Sequence, residues 1–224
     1  MRVDAKNLAT SIMKLKKLII SDKILFYRLI IVALSWFTII TGWIIGSISS
    51  GDPFSWLVGF KYYTMQTNLM VTIWLTLAII WHNKPESLKK ITGPLKGAFT
   101  LYITTTFVFF AILLQVFYIP TGWAAFSNLI LHYITPITFI VDWILTENID
   151  RYKWKYLPYW TLYPIGYLIF AFIHGVISGD YLYPFLDLSV RGPVRYLIII
   201  CFLLGVGIVM ASLYIAINRK RTKN

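Results

Sequence analysis

Charge is what this chain has least of. Only 13% of its 224 residues are Asp, Glu, Lys or Arg, roughly half the share of a soluble domain, which excludes an ordinary soluble fold. Acidic residues are scarcest: nine Asp and Glu stand against 21 Lys and Arg, for a formal net charge of +12. The single cysteine, Cys201, lies inside an apolar run, so no intrachain disulfide can form and the chain gives no redox address. Three histidines without a pair at helical spacing cannot hold two haems, and no Cys or carboxylate cluster offers zinc a full ligand set. A set of His132, His174 and Asp180 is the one geometrically conceivable metal site, and a weak one. A Gly-x-Ser-x-Gly elbow, a phosphate loop and a dinucleotide fingerprint are all missing. No cofactor is expected.

What is present in abundance is apolar surface. Hydrophobic residues make up 58% of the chain and aromatic residues 17%, which excludes disorder. They form long blocks, each near the roughly 20 residues a helix needs to cross about 30 Å of hydrocarbon. Blocks with at most one charged residue each, at 24–49, 63–81, 98–119, 128–146, 157–178 and 193–217, predict an all-α integral membrane protein of six transmembrane helices. The connections are short and rich in Gly, Pro, Ser and Asp, so neighbouring helices should be antiparallel. The organisation is a basic segment at 1–23, a six-helix domain at 24–217 and a basic tail at 218–224.

The bases encode direction, because translocation of short Lys/Arg-rich loops is disfavoured. Eighteen of the 21 fall in the N-terminal region up to and including Arg28, the second-to-third loop, the fourth-to-fifth loop and the tail. Lys61, Arg191 and Arg195 alone occupy the other loops. Both termini are therefore predicted cytoplasmic, in the plasma (cytoplasmic) membrane if the source is bacterial. Bases spread between spans do not form a nucleic-acid face, so no nucleic-acid partner is expected. The basic start, followed by a full-length span without a cleavage site, reads as a retained signal anchor. Within it Leu8, Ile12, Leu15 and Ile19 alternate with Lys14, Lys16 and Lys17, consistent with an amphipathic helix on anionic lipid headgroups; a disordered basic tail is the alternative.

Polar side chains at membrane depth need a partner or a cavity, which makes them the first functional candidates. Thr64, Thr67, Asn68, Thr72 and Thr76 form one stripe on the second span. Asn128, His132, Thr135, Asp142 and Thr146 form another on the fourth, with Pro136 bending it midway. Tyr163, Tyr167, His174 and Ser178 share a face of the fifth. Given the predicted directions, Thr64, His132 and His174 all lie in the outer leaflet. A threonine hydroxyl is a poor nucleophile until a neighbouring base takes its proton, and that level supplies both. Asn128 or His174 would orient the base or donate to an oxyanion, with Asn68 in support. Tyr63, Thr67, Thr135, Tyr167 and Tyr183 would line the cavity for a lipid substrate entering between helices. Asp142, roughly 15 Å deeper by helical rise, reads as structural, anchored at the interface or paired with Arg151 or Lys153. For Thr67, Asn68, Thr72 and Thr76 interhelical hydrogen bonding is the favoured reading. His82, beside Asn83 and Lys84 at the cytoplasmic surface, has no chemical role in this reading. The second, fourth and fifth spans hold no Lys or Arg at depth, which counts against a charge-coupled transporter.

Three runs carry a family resemblance. Phe60-Lys61-Tyr62-Tyr63-Thr64-Met65-Gln66-Thr67-Asn68-Leu69, then Asn128 to His132 with Pro136 and Asp142-Trp143, then His174 through Gly179 to Tyr183-Pro184-Phe185-Leu186, together resemble the androgen-induced protein family. That family includes the androgen-dependent regulator of tissue factor pathway inhibitor and has many bacterial six-helix members. The resemblance covers the second to sixth spans in order and spacing. It implies a multipass threonine hydrolase acting on fatty acid esters of hydroxy fatty acids, with Thr64 as nucleophile and His132 as its partner. Two features depart from the eukaryotic members: Gln66-Thr67-Asn68 replaces a segment with an acidic residue, and one residue fewer separates the His from the Pro. A kept scaffold with a changed substrate and a scaffold that has lost the chemistry both fit those departures. The rival from another class is a lipid- or ion-handling channel or sensor, which would leave Thr64 and His132 out of hydrogen-bond reach and run a polar path to Asp142.

Overall fold

The computed structural model describes residues 5–84, 86–88, 94–147 and 151–221, apart from the side chains of 5–19 and 21. It is 84% helical, with no strand among the described residues. Six helices there are long and apolar enough to cross a membrane: Asp22–Ser50, Tyr63–Ile80, Leu95–Leu114, Gly122–Thr146, Trp154–Ser178 and Leu188–Arg221, the first to sixth spans. Helices are the expected form, since in lipid every backbone N–H must find its acceptor inside its own segment.

The boundaries differ from expectation where a charge or a glycine misled the hydropathy. The third span starts before Ala98 and carries Lys96 within it, because that ammonium is neutralised inside the bundle. The sixth helix includes Leu188–Arg191, but Gly192 breaks it with a φ of 72°, and the continuous part begins at Pro193. Only glycine adopts that left-handed geometry without strain, and proline suits the first helical turn that follows. The first helix is unbroken in backbone from Ala5 to Ser50, so no hinge sets a surface helix apart from the span. The amphipathic face expected near Leu8 to Ile19 rests on side chains outside the described residues, as does Met1 to Asp4.

The contacts sort the helix ends into two groups. At one end, Arg28 of the first span donates to Asp142 of the fourth through Nε at 2.7 Å and Nη2 at 3.1 Å. Lys96 of the third span reaches the same carboxylate at 2.8 Å, donates to Thr146 and stands over the Trp74 ring at 4.6 Å. Asn218 of the sixth span accepts the Arg151 and Tyr152 backbone N–H groups at 3.2 and 3.1 Å. The pairing expected of Asp142 is thereby corrected: its partners are Arg28 and Lys96, whereas Arg151 pairs with Glu147 at 3.4 Å. Long side chains at the ends of antiparallel neighbours reach inward further than loop residues do. At the opposite end lie Thr64, His132, Tyr167 and Tyr183.

Between the two ends the helices are joined by small polar contacts, as membrane bundles commonly are. Ser35 meets Thr135 at 3.0 Å, Trp36 Nε1 donates to Thr76 at 3.1 Å, Thr67 meets Thr106 at 2.8 Å and Thr104 meets Tyr214 at 2.7 Å. The third span touches the second, fourth and sixth and forms the centre of the bundle. It approaches the fifth closely at Gly97, where an added Cβ would stand 2.4 Å from the Trp160 ring.

Candidate active site

The Thr64 hydroxyl and His132 Nε2 lie 3.2 Å apart. Thr64 occupies the first turn of the second span, just after Tyr62 leaves extended backbone. His132 sits in a π-helical turn, Ile130–Ile134, inside the fourth span. The cause lies in the sequence: Pro136 has no N–H to give the His132 carbonyl, and its ring crowds that carbonyl, so the preceding turn widens. A second π-helical turn, Phe110–Leu114, interrupts the third span at the same level. Its first residue, Phe110, stacks on the His132 ring with centroids 3.7 Å apart and planes 23° apart. The imidazole is thus held edge-on to Thr64 by an aromatic plate.

The other ring nitrogen is placed less tightly. Among the described residues His132 Nδ1 makes no hydrogen bond of good geometry, and the acceptor it faces is the Asn128 backbone carbonyl one turn earlier. The Asn128 side-chain Oδ1 is likewise buried without a partner among the described residues. Asn68 clamps the nucleophile's backbone. Both of its amide protons are engaged, with the Thr64 carbonyl at 2.8 Å and the Leu131 carbonyl at 2.9 Å. It positions the pair and has no donor left for an oxyanion.

Comparison of the chain with protein-family models, with curated proteins and with solved structures finds no match.

Two tyrosines expected in the cavity wall take a more specific place. The Tyr63 backbone N–H points at the hydroxyl oxygens of Tyr167 and Tyr183, 3.0 Å from each. Tyr167 gives its own proton to the Lys61 carbonyl at 2.9 Å. The same Tyr167 O–H also faces the Tyr183 oxygen, 3.3 Å away, and among the described residues the Tyr183 proton has no acceptor. Burial pushes the Tyr183 hydroxyl's pKa up, so it keeps this proton. One free O–H donor therefore stands beside the residue next to Thr64.

A cavity opens from this point between the second, third, fifth and sixth spans, with about 800 Å³ of atom-free space including its mouth. Thr64, Tyr63, Tyr167 and Tyr183 line its polar end. His132 stands behind Thr64, on the side away from it.

Three expected residues turn away from the site. His174 turns into its own loop, with Nδ1 at 3.0 Å from the Asp180 carbonyl and 3.3 Å from the Ser178 hydroxyl. It meets the backbone of Asp180, not the carboxylate a metal would need. Thr67 and Thr135 do not line the cavity; both are fully buried, bonded to Thr106 and Ser35. A helical stripe is wide enough to face two neighbours, and these two face the wrong one. Gln66, at the departure from the eukaryotic pattern, accepts from Tyr163 at 2.7 Å and donates to the Phe60 carbonyl at 2.6 Å, tying down the loop before Thr64.

Proposed function

We propose that the protein is a membrane-embedded hydrolase of lipid esters, of the androgen-induced protein type, with Thr64 as nucleophile and His132 as its base. The observation that carries this reading is the 3.2 Å contact of hydroxyl and imidazole at the polar end of an otherwise apolar cavity. That distance is what proton transfer needs. The Thr64 end is assigned to the outer leaflet and both termini to the cytoplasm, supported by the gathering of Arg28, Lys96, Arg151 and Arg221 at the other end.

Thr64 Oγ1 attacks the ester carbonyl as its proton passes to His132 Nε2, with Nδ1–H directed at the Asn128 carbonyl. The negative charge that develops on the carbonyl oxygen accepts the Tyr183 proton as a hydrogen bond. As the carbon–oxygen bond breaks, His132 returns its proton to the departing alcohol, leaving an acyl-threonine. Water then attacks that ester with His132 again as base, the fatty acid leaves and Thr64 is restored. Phe110 and the surrounding apolar side chains keep bulk water from the imidazole.

The hydrolase reading is favoured over a channel by the surroundings of Asp142, where the channel's polar path would have to arrive. Asp142 is fully buried between Arg28 and Lys96 and is not part of the cavity wall.

Purified protein incubated with a branched fatty acid ester of a hydroxy fatty acid is expected to release both acids. Tyr183→Phe keeps the ring and leaves Tyr167 to accept the Tyr63 N–H. Its kcat should fall by about 10² to 10³, the loss typical of one oxyanion donor, with KM little changed. A kcat equal to wild type would remove Tyr183 from the mechanism.

A further inference from the structure

Resting on the hydrolase reading, the polarity of the cavity says which part of the substrate it takes. Three threonines line its shaft, yet none offers a free hydroxyl. Thr105 donates to the Leu101 carbonyl at 2.9 Å, and Thr161 to the Leu157 and Pro158 carbonyls at 3.2 and 2.9 Å. Thr106 is held by Thr67 and by the Tyr102 carbonyl. Their hydroxyls are turned to their own helices or to Thr67, so beyond Thr64 and the tyrosine hydroxyls the walls are almost entirely hydrocarbon. An ion, a sugar or a headgroup would find no partner there; an aliphatic chain would.

The depth fits one chain. Phe110 stacks on His132 at the level of the nucleophile, and Leu101 on the same span is nine residues further in. Helical rise makes that about 13 Å, close to the roughly 15 Å that one leaflet contributes to about 30 Å of hydrocarbon. On the sixth span the wall consists of Leu203, Leu204 and Gly207, and Gly207 is the one furthest from Tyr183 along the chain. It shares a face with Leu203, four residues before it, which is buried. A Cβ added at Gly207 meets no atom within 4 Å. The missing side chain is therefore part of the lumen.

We infer that the acyl arm of the ester is a single long unbranched chain running down this shaft with its carbonyl at Thr64, and that Gly207 sets the chain length admitted. The alcohol arm stays at the mouth. A larger residue at position 207 fills the far part of the shaft without touching the catalytic pair, so selectivity shifts to shorter chains.

The test has two arms. In the first, p-nitrophenyl esters from six to eighteen carbons are compared in wild type and in Gly207→Ala, Gly207→Leu and Gly207→Phe, with Ile208→Phe as a bulk control on the lipid-facing side. Each added methylene should raise wild-type kcat/KM about fourfold until the shaft is full. The ratio of long-chain to short-chain kcat/KM should fall at least tenfold in Gly207→Phe, by a graded amount in the smaller variants, and stay put in Ile208→Phe. An unchanged profile across the Gly207 series overturns the inference.

The second arm needs no turnover. Palmitate carrying a diazirine near its terminal methyl, photolysed with Thr64→Ala protein in lipid nanodiscs, should crosslink at Leu101, Thr161 and the residues around Gly207. Those adducts should be lost on adding Gly207→Phe. Crosslinks confined to lipid-facing residues and indifferent to Gly207→Phe contradict the shaft. Wild type inert toward every ester but labelled in the shaft would instead contradict the hydrolase reading and leave the chain site standing.

Discussion

Thr64→Ala protein should lose at least about a thousandfold in kcat toward a branched fatty acid ester while keeping its wild-type melting behaviour. The scale follows from other nucleophile deletions, in which removing one member of a catalytic unit costs nearly as much as removing all of it. Folding should survive because the Thr64 hydroxyl contacts His132, whereas the clamp on this residue is made to its carbonyl by Asn68 and Thr67. Thr64→Ser keeps the oxygen and should recover a large part of the rate. His132→Gln preserves a polar planar group beneath Phe110 but cannot cycle a proton, and should fall by about 10² to 10⁴. The double variant should be no worse than the poorer single one, since the two groups act as a unit. Full activity in either single variant would mean that the contact is an interhelical hydrogen bond and nothing more.

The largest effect on stability is expected at the other end of the bundle. Asp142→Ala leaves Arg28 and Lys96, 7% and 2% exposed, as neighbouring cations with no carboxylate between them. Removing one partner from a buried ionic group costs about 3 to 5 kcal/mol, a large fraction of a typical domain's net stability. Lys96→Met is expected to be mild. It keeps the packing against Trp74 and leaves Arg28 and Asp142 as a matched bidentate pair, so its cost should stay under about 1.5 kcal/mol. Adding Lys96→Met to Asp142→Ala should recover part of the loss, because one unpaired cation is less costly than two. Unfolding by denaturing detergent, followed by tryptophan fluorescence, checks all three. If Asp142→Ala matched wild type, the buried charges would be hydrated instead of paired.

These two ends were legible in the sequence to different degrees, for a physical reason. The six spans follow from long apolar blocks, which backbone desolvation leaves little choice but to form helices. Thr64 and His132 could be matched because each lies a short way in from the start of its span, and the second and fourth spans run in the same direction, which brings the two level. Depth carries no azimuth, however. His174 has the right level but turns to Asp180, and Thr67 and Thr135 share stripes with the pair yet face other helices. Arg28 and Lys96 were read as markers of direction, which obscured their role as partners of Asp142. The signal was there: Arg28 falls inside the first apolar block, and Lys96 stands two residues from the third. The π-helical turn at His132 traces to Pro136, but that at Phe110 has no proline to announce it. Tyr183 gains its role from the proton accounting of four groups on three segments, which no local pattern encodes.

The assignment of Thr64 as nucleophile is tested most directly by covalent capture. Purified protein treated with a long-chain alkyl fluorophosphonate, digested and analysed by mass spectrometry, should carry the adduct on the Thr64 peptide. The adduct should be absent from Thr64→Ala and strongly slowed in His132→Gln. Labelling that persists in Thr64→Ala, or folded wild type that takes up no label while its cavity still admits the alkyl chain, would contradict the account.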